Sequence, residues 1–294
     1  MQIHAISTGS VKITQNWRVG RGAGGLRLVH TLLDRRFADW LPIYCYVIEH
    51  PEGPIVVDTG IPANANDPIL FPPWMRLVQR AAQFRITADQ EIGPLMRARG
   101  LMPEDVQWVV LTHLHQDHDG GMHHFPNAKI IIGNAEWEAA RGLKGRLAGY
   151  LNHRWPGWLS PTLIEFSATQ LSVFPHRYQL TQRKDVHLVP TPGHSAGHLS
   201  VLLEESNHLV FIAGDASYSQ DLLIADTVDG VGLDPAAQRV THRSILQLAA
   251  EMPTVYLPTH EWDAERRLLA REPIPVDRFM AQPPTPPPEY PRAV

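Results

Sequence analysis

Thr112-His113-Leu114-His115-Gln116-Asp117-His118-Asp119-Gly120-Gly121 follows directly on the apolar run Trp108-Val109-Val110-Leu111. The run reads as a buried strand, and the chain that leaves it presents a dense set of metal-ligand side chains. In an extended segment residues i and i+2 point the same way, so His113 and His115 can clamp one ion between two imidazoles. Asp117 and His118 come as the chain turns and can face a second ion nearby. The two glycines let the backbone turn away tightly. Neutral imidazole and carboxylate suit zinc, iron, cobalt or manganese and need no soft sulfur donor. The competing reading is a solvated loop rich in His and Asp.

Outward from this stretch, short apolar runs recur. Ile43–Ile48, Ile55–Val57, Lys129–Ile132, Val186–Val189, Leu199–Leu203 and Leu209–Ile212 read as strands, and Val255–Leu257 as a weaker one. Helical patterns fall between them. Thr87-Ala88-Asp89-Gln90 fits a capping box ahead of Ile92, Leu95, Met96 and Arg99. Asn134 can cap a helix closed by Gly142. Asp234-Pro235 is a cap followed by a first-turn proline, ahead of the stripe Ile245, Leu248, Ala249, Met252. A last helix is expected near Ala264–Ala270. Closely spaced strands mixed with helices suit layered sheets with helices outside. Strand-rich segments at roughly 40–135 and 185–260 flank a less regular middle, with no fixed-period repeat.

The chain has 294 residues, enough for one large or two small domains with ample core. Net charge is −4 with no long basic run, which argues against nucleic acid and against anionic membrane surfaces as partners. The single cysteine, Cys45, excludes an internal disulfide framework and reads as a buried strand residue. The N-terminus lacks the features of a secretion signal, and no apolar stretch reaches the ~20 residues of a membrane span. The expected location is cytoplasmic. Gly20–Gly25 matches no nucleotide-binding loop and reads as a flexible loop. Residues 273–294 read as a Pro-rich tail, disordered or strapped over the surface, after a single domain at 1–272. The apolar, proline-punctuated insertion Ile61–Phe84 exceeds what a connection requires; it would cover the active site or form a dimer contact.

His-x-His-x-Asp-His after an apolar strand resembles the signature of the metallo-β-lactamase superfamily. Val56-Val57-Asp58-Thr59-Gly60, Thr191-Pro192-Gly193-His194, Ala213-Gly214-Asp215 and Pro258-Thr259-His260 resemble its other motifs, in the expected order. The resemblance implies an α+β fold, a four-layer αββα sandwich of two mixed sheets flanked by helices. It implies two divalent metal ions, zinc first, with iron, cobalt or manganese as alternatives. His113, His115 and His194 would hold one ion. Asp117, His118 and His260 would hold the other, with Asp215 bridging. Asp58 would fix a ligand histidine through a hydrogen bond, or else serve as a turn residue. His198 competes with His194, and the Pro-Gly-His context favours His194. His123 and His124 match no ligand of the family and read as loop residues, and Asp119 as a turn residue.

Such a centre suits hydrolysis, because paired ions supply hydroxide at neutral pH and stabilise a developing oxyanion. Tyr218, in Asp215-Ala216-Ser217-Tyr218, resembles the tyrosine of the N-acyl-homoserine-lactone lactonases of this superfamily; the competing reading is a packing tyrosine. The lactonase resemblance implies hydroxide attack on the lactone carbonyl, Tyr218 sharing the oxyanion, and Asp117 passing a proton to the leaving oxygen. Trp17, Phe37, Trp155 and Trp158 are candidates for an acyl groove or for core packing. The expected partner is a small lactone or ester. The rivals are an organophosphate phosphoesterase, a thioesterase, and a non-enzymatic metal-dependent binding or sensing module.

Overall fold

The computed structural model describes residues 1–280. The first sheet contains β1 (Gln2–Ile13), β2 (Leu41–Glu49), β3 (Ile55–Val57), β4 (Ala82–Arg85), β5 (Trp108–Val110), β6 (Lys129–Gly133) and β7 (Thr162–Ile164), in the order β4-β1-β2-β3-β5-β6-β7. The second contains β8 (Tyr178–Gln179), β9 (Val186–Pro190), β10 (Leu199–Glu204), β11 (Leu209–Gly214) and β12 (Thr254–Pro258), in the order β12-β11-β10-β9-β8. Both are mixed: β3, β5, β6 and β7 run parallel, as do β11 and β12, and the remaining pairs are antiparallel. The helices are α1 (Gln15–Arg18), α2 (Gly25–Leu33), α3 (Arg76–Ala81), α4 (Ile92–Arg97), α5 (Gln116–Asp119), α6 (Asn134–Ala140), α7 (Gly142–Ala148), α8 (Gln220–Ile224), α9 (Pro235–Glu251), α10 (Asp263–Ala270) and α11 (Asp277–Met280).

Alternation along β2 decides how these elements stack. Tyr44, Tyr46 and Ile48 share one face and pack with Val201, Leu203, Val210 and Leu257 of the second sheet. Cys45 and Val47 share the other face, under Ile92 and Met96 of α4. The second sheet repeats the pattern: Leu202 and Phe211 turn away from the first sheet to meet Ile245, Leu248 and Ala249 of α9. A strand buried on both faces must be apolar throughout, and Leu41–Ile48 is fully buried. Helix, sheet, sheet and helix thus form the expected four-layer αββα sandwich. Among the described residues, no helix is long and apolar enough to cross a membrane.

Several local expectations shift. Thr87 and Gln90 make both capping-box bonds, but the box closes a 3-10 turn; Glu91 is extended and α4 begins at Ile92. Asn134 does not cap α6. Its amide donates to Glu165 at 2.6 Å, and Gly142 opens α7 instead of merely closing α6. Asp234 does cap α9, accepting from the Ala236 and Ala237 amides at 2.9 and 3.0 Å. The Gly20–Gly25 stretch leads straight into α2, whose first residue is Gly25. The insertion at 61–84 folds as two 3-10 turns and α3, then reaches β4 on the edge of the first sheet beside β1. The expected division at 272 falls just before Ile274, which is buried and packs in the α9 cluster. Most of the Pro-rich tail, residues 281–294, lies outside the described residues.

Candidate metal centre

The strands β3, β5, β9, β11 and β12 each end in one of the motifs, and these ends converge. Asp58 follows β3, Thr112–His118 follows β5, His194 follows β9, Asp215 follows β11 and His260 follows β12. Two strand-end positions demand special backbone. Asp58 sits at φ 59, a left-handed conformation that Asp tolerates better than most residues. Gly214 sits at φ +54, and a Cβ there would lie 2.8 Å from Thr112 Oγ1 and His198 Nε2. Glycine therefore lets Asp215 approach the His113 strand end.

The structure brings His113, His115 and His194 together. His115 Nδ1 lies 2.9 Å from His113 Nε2 and 3.1 Å from His194 Nε2. A second group follows: His260 Nε2 is 3.5 Å from Asp117 Oδ2 and 3.4 Å from Asp215 Oδ1, and His118 Nε2 is 3.4 Å from the same Asp215 oxygen. The other Asp215 oxygen lies 3.5 Å from His194 Nε2. Asp215 thus stands between the two groups, one oxygen toward each.

Most of these imidazoles are held from behind, which decides which nitrogen is bare. His118 Nδ1 donates to Asp58 Oδ2 at 2.8 Å, His194 Nδ1 to Asp229 Oδ2 at 3.0 Å, and His260 Nδ1 to the Pro42 carbonyl at 2.9 Å. Thr112 Oγ1 donates its single proton to Asp58 at 2.9 Å, so it accepts from His113 Nδ1 at 3.1 Å. In the neutral form of each ring the lone pair then sits on Nε2, aimed inward. His198 stands behind the cluster: its Nε2 accepts from the Asp215 amide at 3.0 Å and its Nδ1 meets Thr191 Oγ1.

This donor set fits divalent metal ions. Two ligands ~2.0–2.1 Å from a tetrahedral ion are about 3.4 Å apart, close to the separations here. Bare nitrogens facing one another repel unless a cation lies between them. His118 Nε2 and Asp215 Oδ1 are buried without a hydrogen-bond partner, as an imidazole and a carboxylate waiting on a cation would be. Charge is uneven across the cluster. Burial, then neighbouring imidazoles, keeps His113 neutral and His115 down to about 3. Burial would do the same to His118 and His260, but Asp215 and its fellow carboxylates outweigh it and raise both.

Two supporting carboxylates were not legible as such. Asp229 is buried and accepts from His194, Gln238 Nε2 and the Val231 amide. Glu136 is buried on α6 and accepts from the Leu114 amide at 3.0 Å, Ser195 Oγ at 2.7 Å and the Gly197 amide at 3.0 Å. It ties the His113–His118 loop to the His194 loop. An acidic residue in the Gly-rich turn Asp229-Gly230-Val231-Gly232 was the available signal for the first; Glu136 had none. Asp119, expected in a turn, ends α5 and is buried; it accepts from Trp155 Nε1 at 2.6 Å, and burial pushes its carboxyl up to about 7. His123 and His124, expected as loop residues, both reach Glu91 from a 3-10 turn.

The cluster forms the floor of a cavity of about 380 Å³. Phe71, Trp74, Met75 and Val78 from the 61–84 insertion wall it, together with Leu28 and Leu147. Of the aromatics considered for a groove, Trp17 lines the cavity, while Trp155 stacks on Trp137 at 4.9 Å. Trp17 Nε1 donates to the Tyr218 hydroxyl at 3.0 Å, and the Tyr218 ring lies 5.3 Å from that of His260. Burial, Asp229 and Asp215 hold the Tyr218 phenol well above its ordinary pKa, so it keeps its proton.

Comparison with known proteins gives a consistent picture. Residues 38–260 match the metallo-beta-lactamase superfamily. An N-acyl homoserine lactonase of Bacillus cereus is 32% identical over 232 residues, covering 77% of this chain and 84% of that protein. Among solved structures, an N-acyl homoserine lactone hydrolase with N-hexanoyl-L-homoserine at its catalytic metal centre is 25% identical, with a TM-score of 0.71 over 90% of this chain and 94% of the other. A variant of the Bacillus thuringiensis lactonase AiiA with N-decanoyl-L-homoserine at its active site is 26% identical, also at TM-score 0.71 over the same shares.

Proposed function

The chain belongs to the metallo-beta-lactamase superfamily and is a metal-dependent hydrolase, and on that premise we propose that it opens the lactone ring of N-acyl homoserine lactones. His113, His115 and His194 would hold one divalent ion and Asp117, His118 and His260 a second, with Asp215 shared. When bound, such ions lower the pKa of coordinated water and polarise a carbonyl oxygen.

The observation that carries the lactone reading is the Tyr218 hydroxyl. Trp17 Nε1 occupies its oxygen as a donor, which leaves the phenolic proton free for an oxygen in the cavity. A tyrosine kept neutral beside the cluster is suited to donate to the carbonyl oxygen as negative charge develops there. Asp117 is the carboxylate suited to carry a proton to the leaving ring oxygen. Its side chain is 16% exposed against 4% for Asp215, which faces both ligand groups. Ring opening breaks the acyl–oxygen bond, adds water, and releases an acid. The apolar cavity wall suits the acyl chain.

The test is to incubate the protein, reconstituted with zinc, cobalt or iron, with short- and long-chain acyl homoserine lactones and follow proton release and product by chromatography. Ring opening is expected. No turnover with any of the metals sinks the lactonase reading.

A further inference from the structure

Helix α2 is turned inside out. Its buried residues are polar: Arg27 donates to the Gly232 carbonyl, and the Thr31 hydroxyl lies 3.0–3.2 Å from the carbonyls of Asn16, Arg27 and Gly230. Its apolar residues point outward, with Leu26, Leu28, Val29 and Leu33 exposed at 47–66%. Leu28 reaches the cavity mouth, whose edge is continued by Trp74, Leu147 and Leu233, at 52%, 60% and 61% exposure. Leu77 and Leu143 are exposed on α3, which packs beside α2, and on α7. Single exposed leucines are ordinary, but a rim of them drawn from separate segments around one mouth marks an interaction surface.

Charge identifies the partner. Apart from Leu233, residues 14–40, 61–86 and 141–154 supply this rim, and they hold twelve Lys and Arg against three Asp and Glu. The whole chain has 26 and 30, so the remainder holds fourteen against twenty-seven. The rim segments thus carry an excess of nine positive charges while the rest of the chain is strongly acidic. Of the twelve, only Arg27 is buried. A second copy of this chain is the other occupant such an apolar rim would suit. A symmetric dimer, however, lays this face against itself and opposes like charges.

We propose that this face docks on an anionic lipid surface. The leucines of α2, α3 and α7 enter the headgroup boundary, and Arg21, Arg76, Arg80 and Lys144, exposed on the same segments, meet lipid phosphate. The cavity then opens onto the bilayer, where long acyl chains dissolve. Folding gathers cationic residues that the sequence disperses, so the surface association unexpected from net charge arises from the arrangement. The surface, not the chemistry at the cavity floor, carries this proposal, and its test needs no turnover.

The zinc-loaded full chain is sedimented with vesicles of phosphatidylcholine alone and of phosphatidylcholine mixed with phosphatidylglycerol. Binding to the mixed vesicles at low salt, weakening as salt rises and slight on the neutral ones, is expected. Arg76→Ser with Arg80→Ser lowers the partition constant tenfold or more, at about fivefold per charge. Leu26→Ser with Val29→Ser and Leu33→Ser lowers it similarly, with circular dichroism and zinc content unchanged. No binding to anionic vesicles at low salt overturns the proposal, as does binding that neither variant weakens. A wild-type dimer in sedimentation velocity that the leucine variant converts to monomer also overturns it.

Discussion

At the cavity floor, His113, His118, His194 and His260 are each held by a hydrogen bond from behind, and the cluster is almost wholly buried. At the rim, the leucines of α2 stand in water and their neighbours come from segments far apart in sequence. The floor is held because strand ends and hydrogen bonds from behind fix four of its five imidazoles. The exposed apolar side chains of the rim have no such ties. On the proposed function, the floor would fix the chemistry and the rim would fix what reaches it. Changes at the floor should alter metal content and kcat, whereas changes at the rim should leave both intact and alter access.

The largest expected effect comes from stripping the floor of metal. Dialysis against a chelator should abolish hydrolysis, and zinc or cobalt should restore it, while circular dichroism shows the sheets retained. Tyr218→Phe should lower kcat by up to about 10²-fold with metal content unchanged. Equal kcat and KM in the variant would return Tyr218 to packing. Asp229→Asn should weaken metal binding or activity about 10–100-fold through the orientation of His194, read by competition with a chromophoric chelator. Glu136→Ala should cost the metal-free protein about 3 kcal/mol in urea unfolding, because it leaves the buried Leu114 and Gly197 amides unpaired. The leucine-to-serine changes on α2 should be the mildest. Turnover of a short-chain lactone free of vesicles should stay within about twofold, since exposed substitutions usually change stability by ~0.5 kcal/mol or less. A large loss there would blur the division between floor and rim.

The floor was far more legible in the sequence than the rim, for a physical reason. Ligands carried on strand ends come as short motifs, and alternation in Ile43–Ile48 or Leu199–Leu203 marks the strands that carry them. Strand β1 was missed because its pattern breaks at Gly9, where φ is +89 and the register with β2 shifts between Ser7 and Ser10. Helix α2 was missed because glycines precede it, although Leu26, Val29 and Leu33 stand at helical spacing. Asp229 supports a histidine 35 residues away, and Glu136 supports loops 22 and 59 residues away, separations that leave no local trace. Trp17 reads in the sequence as a groove candidate, but its bond to Tyr218 spans 201 positions. The charged rim was invisible in a net charge of −4, because averaging along a chain erases a segregation that only folding creates.

The central claim is that the cavity floor works as a dinuclear centre built from His113, His115, Asp117, His118, His194, Asp215 and His260. Titration of metal-free protein with zinc, with activity and bound metal measured on the same samples, tests it most directly. Activity that rises to its plateau at two ions per chain is the predicted result, and full activity with a single ion per chain would contradict it.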